Sequence, residues 1–354
     1  MGKTLASKLL ALALLGVIMN WVYARFLYER DIQSHSPVVN LVRELPPGVD
    51  ILYVGESSNT ASRKDDADKR AISAFLGDCY PDLVVDDITK PAAHAGIYRT
   101  LLEQIPADQG PKTVVVTLNL RSFNAQWIYS DLETALQKSM VLLGNRPPLL
   151  NRFLLSFQAY DIKTPEERSR QFKRKWKRDR FQVPFDLPYR DVIQWDRAIG
   201  RSGLTDAEGK RDQAATELAC HYVKGYAFQI DFRHNPRIRD FDALVRLADR
   251  REWNLVFHLM AENTEQAERL VGEDLLWFMD DNAARLRARY EARGVLVVDN
   301  LHAVADREYI DRDWTTEHYA EKGRKTVARN LARGLRSLHP DAYRAPAWEE
   351  ELTP

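Results

Sequence analysis

Two short stretches far apart in the chain hold the residue types that acyl transfer requires. The first is Val49-Asp50-Ile51-Leu52-Tyr53-Val54-Gly55-Glu56-Ser57-Ser58-Asn59: an apolar run, a glycine, an acid and a serine. The second is Glu317-His318-Tyr319-Ala320-Glu321-Lys322-Gly323, where a histidine stands just before a helical pattern. A serine hydroxyl is a poor nucleophile until a base takes its proton. It also needs N–H donors aimed at the oxyanion that then develops. Gly55 permits a sharp turn that would expose Ser57 at the carboxyl edge of a sheet, where open α/β folds place their sites. His318, on a polar loop, could reach it as the base. Two further positions could supply donors: Gly96, after Ala93-His94-Ala95, through its backbone N–H, and Asn119, after Thr117-Leu118, through its side-chain amide. Singly, each has a plain structural explanation as a turn, a cap or a solvated loop residue. Together they fall at corresponding edges of successive strand–helix units.

The elements that must carry these residues alternate along the chain. Strands are expected at 51–54, 83–88, 113–118, 254–260 and 295–298. Thr113–Leu118 is almost purely β-branched, as a strand buried on both faces should be. Helices are expected at 65–75, 95–105, 240–251, 274–293 and 319–338. This rhythm predicts a three-layer α/β sandwich around a five-stranded, mostly parallel sheet. Residues 1–30 read as an anchor, 31–48 as a polar linker with Pro37 and Pro46-Pro47, and 49–124 as the first half of the core. Residues 125–248 read as an inserted lid region, 249–338 as the second half of the core, and 339–354 as a tail. The insert contains a basic stretch, Arg168 to Arg180, interleaved with Phe172 and Trp176. It fits either a solvated helix face or a patch for anionic lipid or polysaccharide.

Composition narrows the function classes. Apolar content of 45% and charged content of 29% suit a folded globular chain, and a formal net charge of zero gives no global field to recruit nucleic acid. Eight scattered histidines show no paired metal-ligand spacing, and no phosphate-binding glycine loop occurs. No cofactor is expected. Cys79 and Cys220 would form one bridge in an exported protein or remain buried thiols. Near the start, Lys3 and Lys8 precede an apolar run from Leu9 to Ala24, followed by Arg25, with Trp21 and Tyr23 suited to a membrane interface. Asn20-Trp21-Val22-Tyr23 is bulky for a signal-peptidase site, which favours an uncleaved signal anchor over a cleaved signal peptide or a buried core helix. The basic flank would stay in the cytoplasm and leave the remainder outside.

On these residues the chain resembles the SGNH (GDSL-like) hydrolase superfamily. Gly55-Glu56-Ser57 is similar to its first block, Gly96 to its second, Thr117-Leu118-Asn119 to its third, and Thr315-Thr316-Glu317-His318 with Gly323 to its last. The likeness spans roughly residues 49–124 and 249–338. It implies Ser57 as nucleophile, His318 as base, and an oxyanion hole from the Ser57 backbone, Gly96 and Asn119. Thr315 stands where the family carries its triad acid. Asp313 is the expected replacement, with Asp311 and Glu317 as poorer candidates and a Ser–His dyad as a further option. The resemblance implies a membrane-anchored esterase or O-acyltransferase of a bacterial cell-envelope glycan. Its single-pass anchor would lie in the inner membrane with the catalytic domain periplasmic or extracellular, working beside a membrane-bound O-acyltransferase. A non-catalytic glycan-binding or assembly protein on the same scaffold, and a lipase or lysophospholipase acting on lipid, are the alternatives.

Overall fold

The computed structural model describes residues 2–35, 37–130, 138–157 and 164–352. Five strands form one parallel sheet: β1 (Ile51–Gly55), β2 (Val85–Thr89), β3 (Thr113–Leu118), β4 (Asn254–Leu259) and β5 (Leu296–Asp299). Their order is β2-β1-β3-β4-β5. The chain therefore winds one way from β1 to β2, then back past β1 to β3, and onward. Such a reversal leaves a crevice at the carboxyl ends of the two strands that flank it. Ser57 follows β1 and Asn119 follows β3, so both lie at that switch point.

The central strands are buried on both faces, and their side chains alternate between two cores. Leu52, Val54, Val114 and Val116 face one core, and Ile51, Tyr53, Val115 and Val256 face the other. The first core is covered by α5 (Ala95–Leu102), α11 (Pro236–Arg251) and α13 (Glu273–Glu291), and the second by α4 (Ile72–Asp78) and α14 (Glu321–Leu335). The tail docks onto α4: Trp348 stacks edge-on against Phe75 and donates from its indole to Asp78 at 2.8 Å.

Three regions differ from the pattern that the sequence suggests. Residues 65–71, expected to begin a helix, are loop and turn, and α4 starts only at Ile72. The fully buried Arg324 guanidinium explains this, because it takes the carbonyls of Ala61, Asp68 and Arg70 and the Asp66 carboxylate. Those carbonyls would otherwise be available to a helix. The stretch 31–48, expected as linker, contains the end of one helix, α2 (Tyr28–His35), and all of another, α3 (Pro37–Arg43). They follow directly on the apolar N-terminal helix α1 (Gly2–Phe26), whose segment Thr4–Phe26 is long and apolar enough to cross a membrane. The described part of 125–248 packs into the first core through Trp176, Trp195, Leu218 and Tyr222, and α11, which begins in it and runs on to Arg251, is a layer helix of the sandwich. Cys79 and Cys220 are both free thiols.

Candidate active site

Ser57 opens a single 3-10 turn, Ser57–Asn59, directly after β1. N–H groups at the start of such a turn have no partner within it, so the Ser57 N–H is available to a ligand. Its Oγ lies 2.9 Å from His318 Nε2, across the whole sequence from the first strand to the last loop. On the far side of the ring, His318 Nδ1 lies 2.7 Å from Asp311 Oδ2, and the same oxygen accepts from Thr316 Oγ1 at 2.9 Å. With Nδ1–H donating to the carboxylate, Nε2 is left as the acceptor for the serine proton.

The acid in contact with the imidazole is therefore Asp311, not the expected Asp313, which is exposed to solvent. The loop geometry explains the longer spacing. Tyr309 and Tyr319 form an antiparallel bridge, Ile310 N–H donates to the His318 carbonyl at 2.9 Å, and Ala320 N–H donates to Glu308 at 2.7 Å. The chain thus doubles back on itself. Asp311 comes beside His318 while Arg312, Asp313 and Trp314 bulge outward. The aromatic pair ten residues apart is the sequence signal for this hairpin.

Neither of the other two expected donors lines the cleft. Gly96 N–H is bonded to His94 Nδ1 at 3.1 Å, and a Cβ at Gly96 would meet Asp240 Oδ2 at 2.9 Å. It is a glycine of close helix packing between α5 and α11. The residues at that edge of the cleft are Pro91 and Ala92, and Ala92 adopts φ 57°. A non-glycine residue in the left-handed region costs of order 1 kcal/mol, and such strain concentrates at functional sites. Asn119 accepts from Ser122 N–H at 3.3 Å and directs its amide to Glu56, which that hydrogen bond helps to keep ionised.

The cleft over Ser57 and His318 has a volume of about 390 Å³. Its walls come from α6 (Ala125–Ile128), α10 (Gln213–Tyr226) and the 314–318 loop. Two indoles line it. Trp127 carries the Arg121 guanidinium on its face at 5.1 Å, and Trp314, 46% exposed, lies tilted at 49° against His221 with centroids 3.9 Å apart. Burial first, and Lys224 second, hold the His221 imidazole below its ordinary pKa.

Beneath the cleft lies a nest of buried charge that the sequence did not announce. Arg121, two residues past Asn119, makes a bidentate pair with Glu317 at 2.6 and 2.5 Å. Glu317, weighed above as a triad acid, is thus committed to Arg121. Glu56 and Glu262 share the same surroundings. Burial first, and the Glu317 carboxylate second, push the Glu56 carboxyl up to about 7, against Arg121. The same two causes in the same order push Glu262 well above the ordinary range. Tyr226 donates to Glu262 Oε2 at 2.5 Å, and a hydrogen bond between Glu262 and Glu317 adds to the preference for a protonated Glu262. One guanidinium among three buried carboxyls cannot hold all of them ionised. Among the described residues no group of three His, Cys, Asp or Glu is disposed to hold a metal ion.

No family model matches the chain, and no curated protein sequence does. Among solved structures, it is similar to an acetylxylan esterase from Geobacillus stearothermophilus at 11% identity and a TM-score of 0.37, covering 82% of this chain and 96% of that one. It is also similar to a GDSL-like lipase from Bacteroides thetaiotaomicron at 8% identity and a TM-score of 0.34, covering 88% and 98%. At these scores the likeness adds nothing to what the sheet order and the site geometry establish.

Proposed function

We propose that the chain is an SGNH-like serine esterase or O-acyltransferase that handles acyl esters of a cell-envelope polysaccharide. The observation that supports this most directly is the line Asp311–His318–Ser57 at the sheet's switch point, opening into a cleft with two indoles. In this reading His318 Nε2 takes the Ser57 proton as Oγ attacks the ester carbonyl carbon. The carbonyl oxygen becomes an oxyanion, held by the Ser57 N–H and the strained backbone at Ala92, which serves in place of Gly96 and Asn119. Collapse breaks the ester C–O bond. The leaving alkoxide takes the proton back from His318, and the acyl group stays on Ser57. Water or a sugar hydroxyl then attacks the acyl-enzyme, with its proton passing to His318 and on to Ser57 Oγ. Asp311 fixes the imidazole tautomer and offsets the positive charge that forms.

The helix Thr4–Phe26 serves here as an uncleaved anchor in the bacterial inner membrane, with the domain outside the cytoplasm. A membrane-bound O-acyltransferase would be the natural source of acyl groups. A fluorophosphonate probe tests the chemistry on the full chain. Labelling should occur on Ser57 and vanish in both Ser57→Ala and His318→Ala. A folded protein that takes no label but still binds acylated glycan would favour the non-catalytic scaffold.

A further inference from the structure

The N-terminal helix is not a free tether, and its last turns are built into the domain. Asn20 Oδ1 accepts the Leu149 N–H at 3.0 Å, next to the start of α7 (Pro148–Ser156). Tyr23 is buried, and its hydroxyl donates to Asp31 Oδ2 at 2.8 Å. The Asp31 carboxylate also pairs with Arg152 of α7 at 3.1 Å. α7 therefore lies against the carboxyl-terminal part of α1. Asn20 is six residues from Phe26, so this contact sits about 9 Å inside the end of α1 at 1.5 Å per residue. The segment Thr4–Phe26 has 23 residues, about 34 Å of helix against a hydrocarbon core of about 30 Å. With α1 centred on that core, its contact with α7 lies about 7 Å inside the hydrocarbon edge, within the depth of roughly 5–10 Å that an interfacial helix reaches.

α7 turns apolar side chains to both sides. Its inner side joins the domain through Leu155, packed on Ile32, Val39, Leu142 and Leu143, and through Asn151, which donates to the carbonyls of Leu142 and Gly144 and accepts from Arg146. Its outer side is apolar. Leu150, Phe153 and Phe157 follow one another at three and four residues, the spacing of one helix face, and are 45%, 42% and 77% exposed. Outside α1, the other large apolar side chains this exposed are Leu27, Val84 and Trp314. Trp314 belongs to the cleft and Leu27 to the end of α1, which leaves Val84 as the single one elsewhere among the described residues.

We propose that α7 is an interfacial helix that sets Leu150, Phe153 and Phe157 into the lipid headgroup–acyl boundary of the leaflet that α1 enters. The occupant of this face is the bilayer, because the face continues the apolar surface of α1 at the depth where that helix leaves the hydrocarbon. The domain is then clamped to the membrane at two points and held in one orientation. This rests on the anchor reading above, since cleavage after α1 would remove Asn20 and Tyr23 together.

The test uses the full chain in vesicles of phosphatidylethanolamine and phosphatidylglycerol, with benzoylphenylalanine in place of Phe157 or, as a control, Arg287 on α13. Illumination should give lipid adducts at position 157 and at least tenfold fewer at position 287. Equal yields at the two positions, or protein adducts at 157 in native membranes, would overturn the clamp. Intact mass of the membrane-extracted chain separates the two readings. A chain shortened by its N-terminal residues removes the anchor, whereas a full-length chain without lipid adducts removes only the docking helix.

Discussion

Two layers of the site are built from the same two dipeptides and do opposite things. In Glu56-Ser57 and in Glu317-His318, one residue faces the cleft and its neighbour faces inward. Ser57 and His318 are half-exposed and meet at 2.9 Å, while Glu56 and Glu317 are buried beside Arg121. The outer layer has the geometry for proton transfer. The inner layer holds charge that solvent cannot screen, so it fixes the backbone carrying the outer layer. Changes in the outer layer should therefore remove activity and leave the fold intact. Changes in the inner layer should do the reverse first.

The largest expected effect lies in the outer layer. Ser57→Ala should lower acyl-transfer kcat by at least about 10⁴-fold with no change in melting temperature. Asp311→Asn should cost about 10³-fold through the wrong imidazole tautomer, and Asp313→Asn should leave kcat within about twofold. Equal losses in the two Asn variants would break the assignment of Asp311. The inner layer comes next. Arg121→Met should destabilise by about 3–5 kcal/mol in urea unfolding, because Glu317 loses its bidentate partner in a buried site. A melting temperature unchanged by this substitution would mean the nest is hydrated, and the contrast between the layers would fail.

The outer layer was more legible in the sequence than the inner one for a physical reason. Ser57 and His318 announce themselves by local context: a strand, a glycine and a turn before one, a polar loop and a helix after the other. The sheet was legible for the same reason, since a β-branched run such as Thr113–Leu118 can satisfy burial on two faces in few ways. Arg121, Glu262 and Glu317 come together only through the order of the strands, and no local pattern marks a buried pair between residues 121 and 317. Asp311 ranks below Asp313 when spacing is read along the chain, whereas the Tyr309–Tyr319 bridge sets distance across a hairpin. Residues 65–71 have helical propensity, but Arg324, more than 250 residues away, takes the Asp68 and Arg70 carbonyls that a helix would use.

The pH dependence of Glu56 tests the inner layer more finely. Its folded pKa of about 7 lies above the ordinary 4.5, so the native state holds this proton more tightly than the unfolded chain. Stability from that proton is fully present below about 4.5 and is lost as pH rises through 7. A shift of that size corresponds to roughly 3 kcal/mol at most. Glu56→Gln should remove this slope, so its urea midpoint should gain on the parent protein between pH 4.5 and pH 8. Parallel curves would show that Glu56 is ionised throughout.

The smallest effects separate the two positions that could be confused as the glycine of the site. Gly96→Ala places a Cβ 2.9 Å from Asp240 Oδ2 and 3.1 Å from His94 Cε1, so it should cost about 1–3 kcal/mol in stability and leave kcat nearly unchanged in the folded fraction. Ala92→Gly relieves a left-handed backbone at φ 57° but frees the unfolded chain. The two effects nearly offset, for a gain of about 0–1 kcal/mol. If Ala92 supplies an oxyanion donor, the substitution keeps the N–H but loosens its aim, so kcat should fall a few-fold while the melting temperature holds or rises. A kcat that falls instead in Gly96→Ala, with Ala92→Gly silent, would return the donor to Gly96 and make the strain at Ala92 a matter of packing alone.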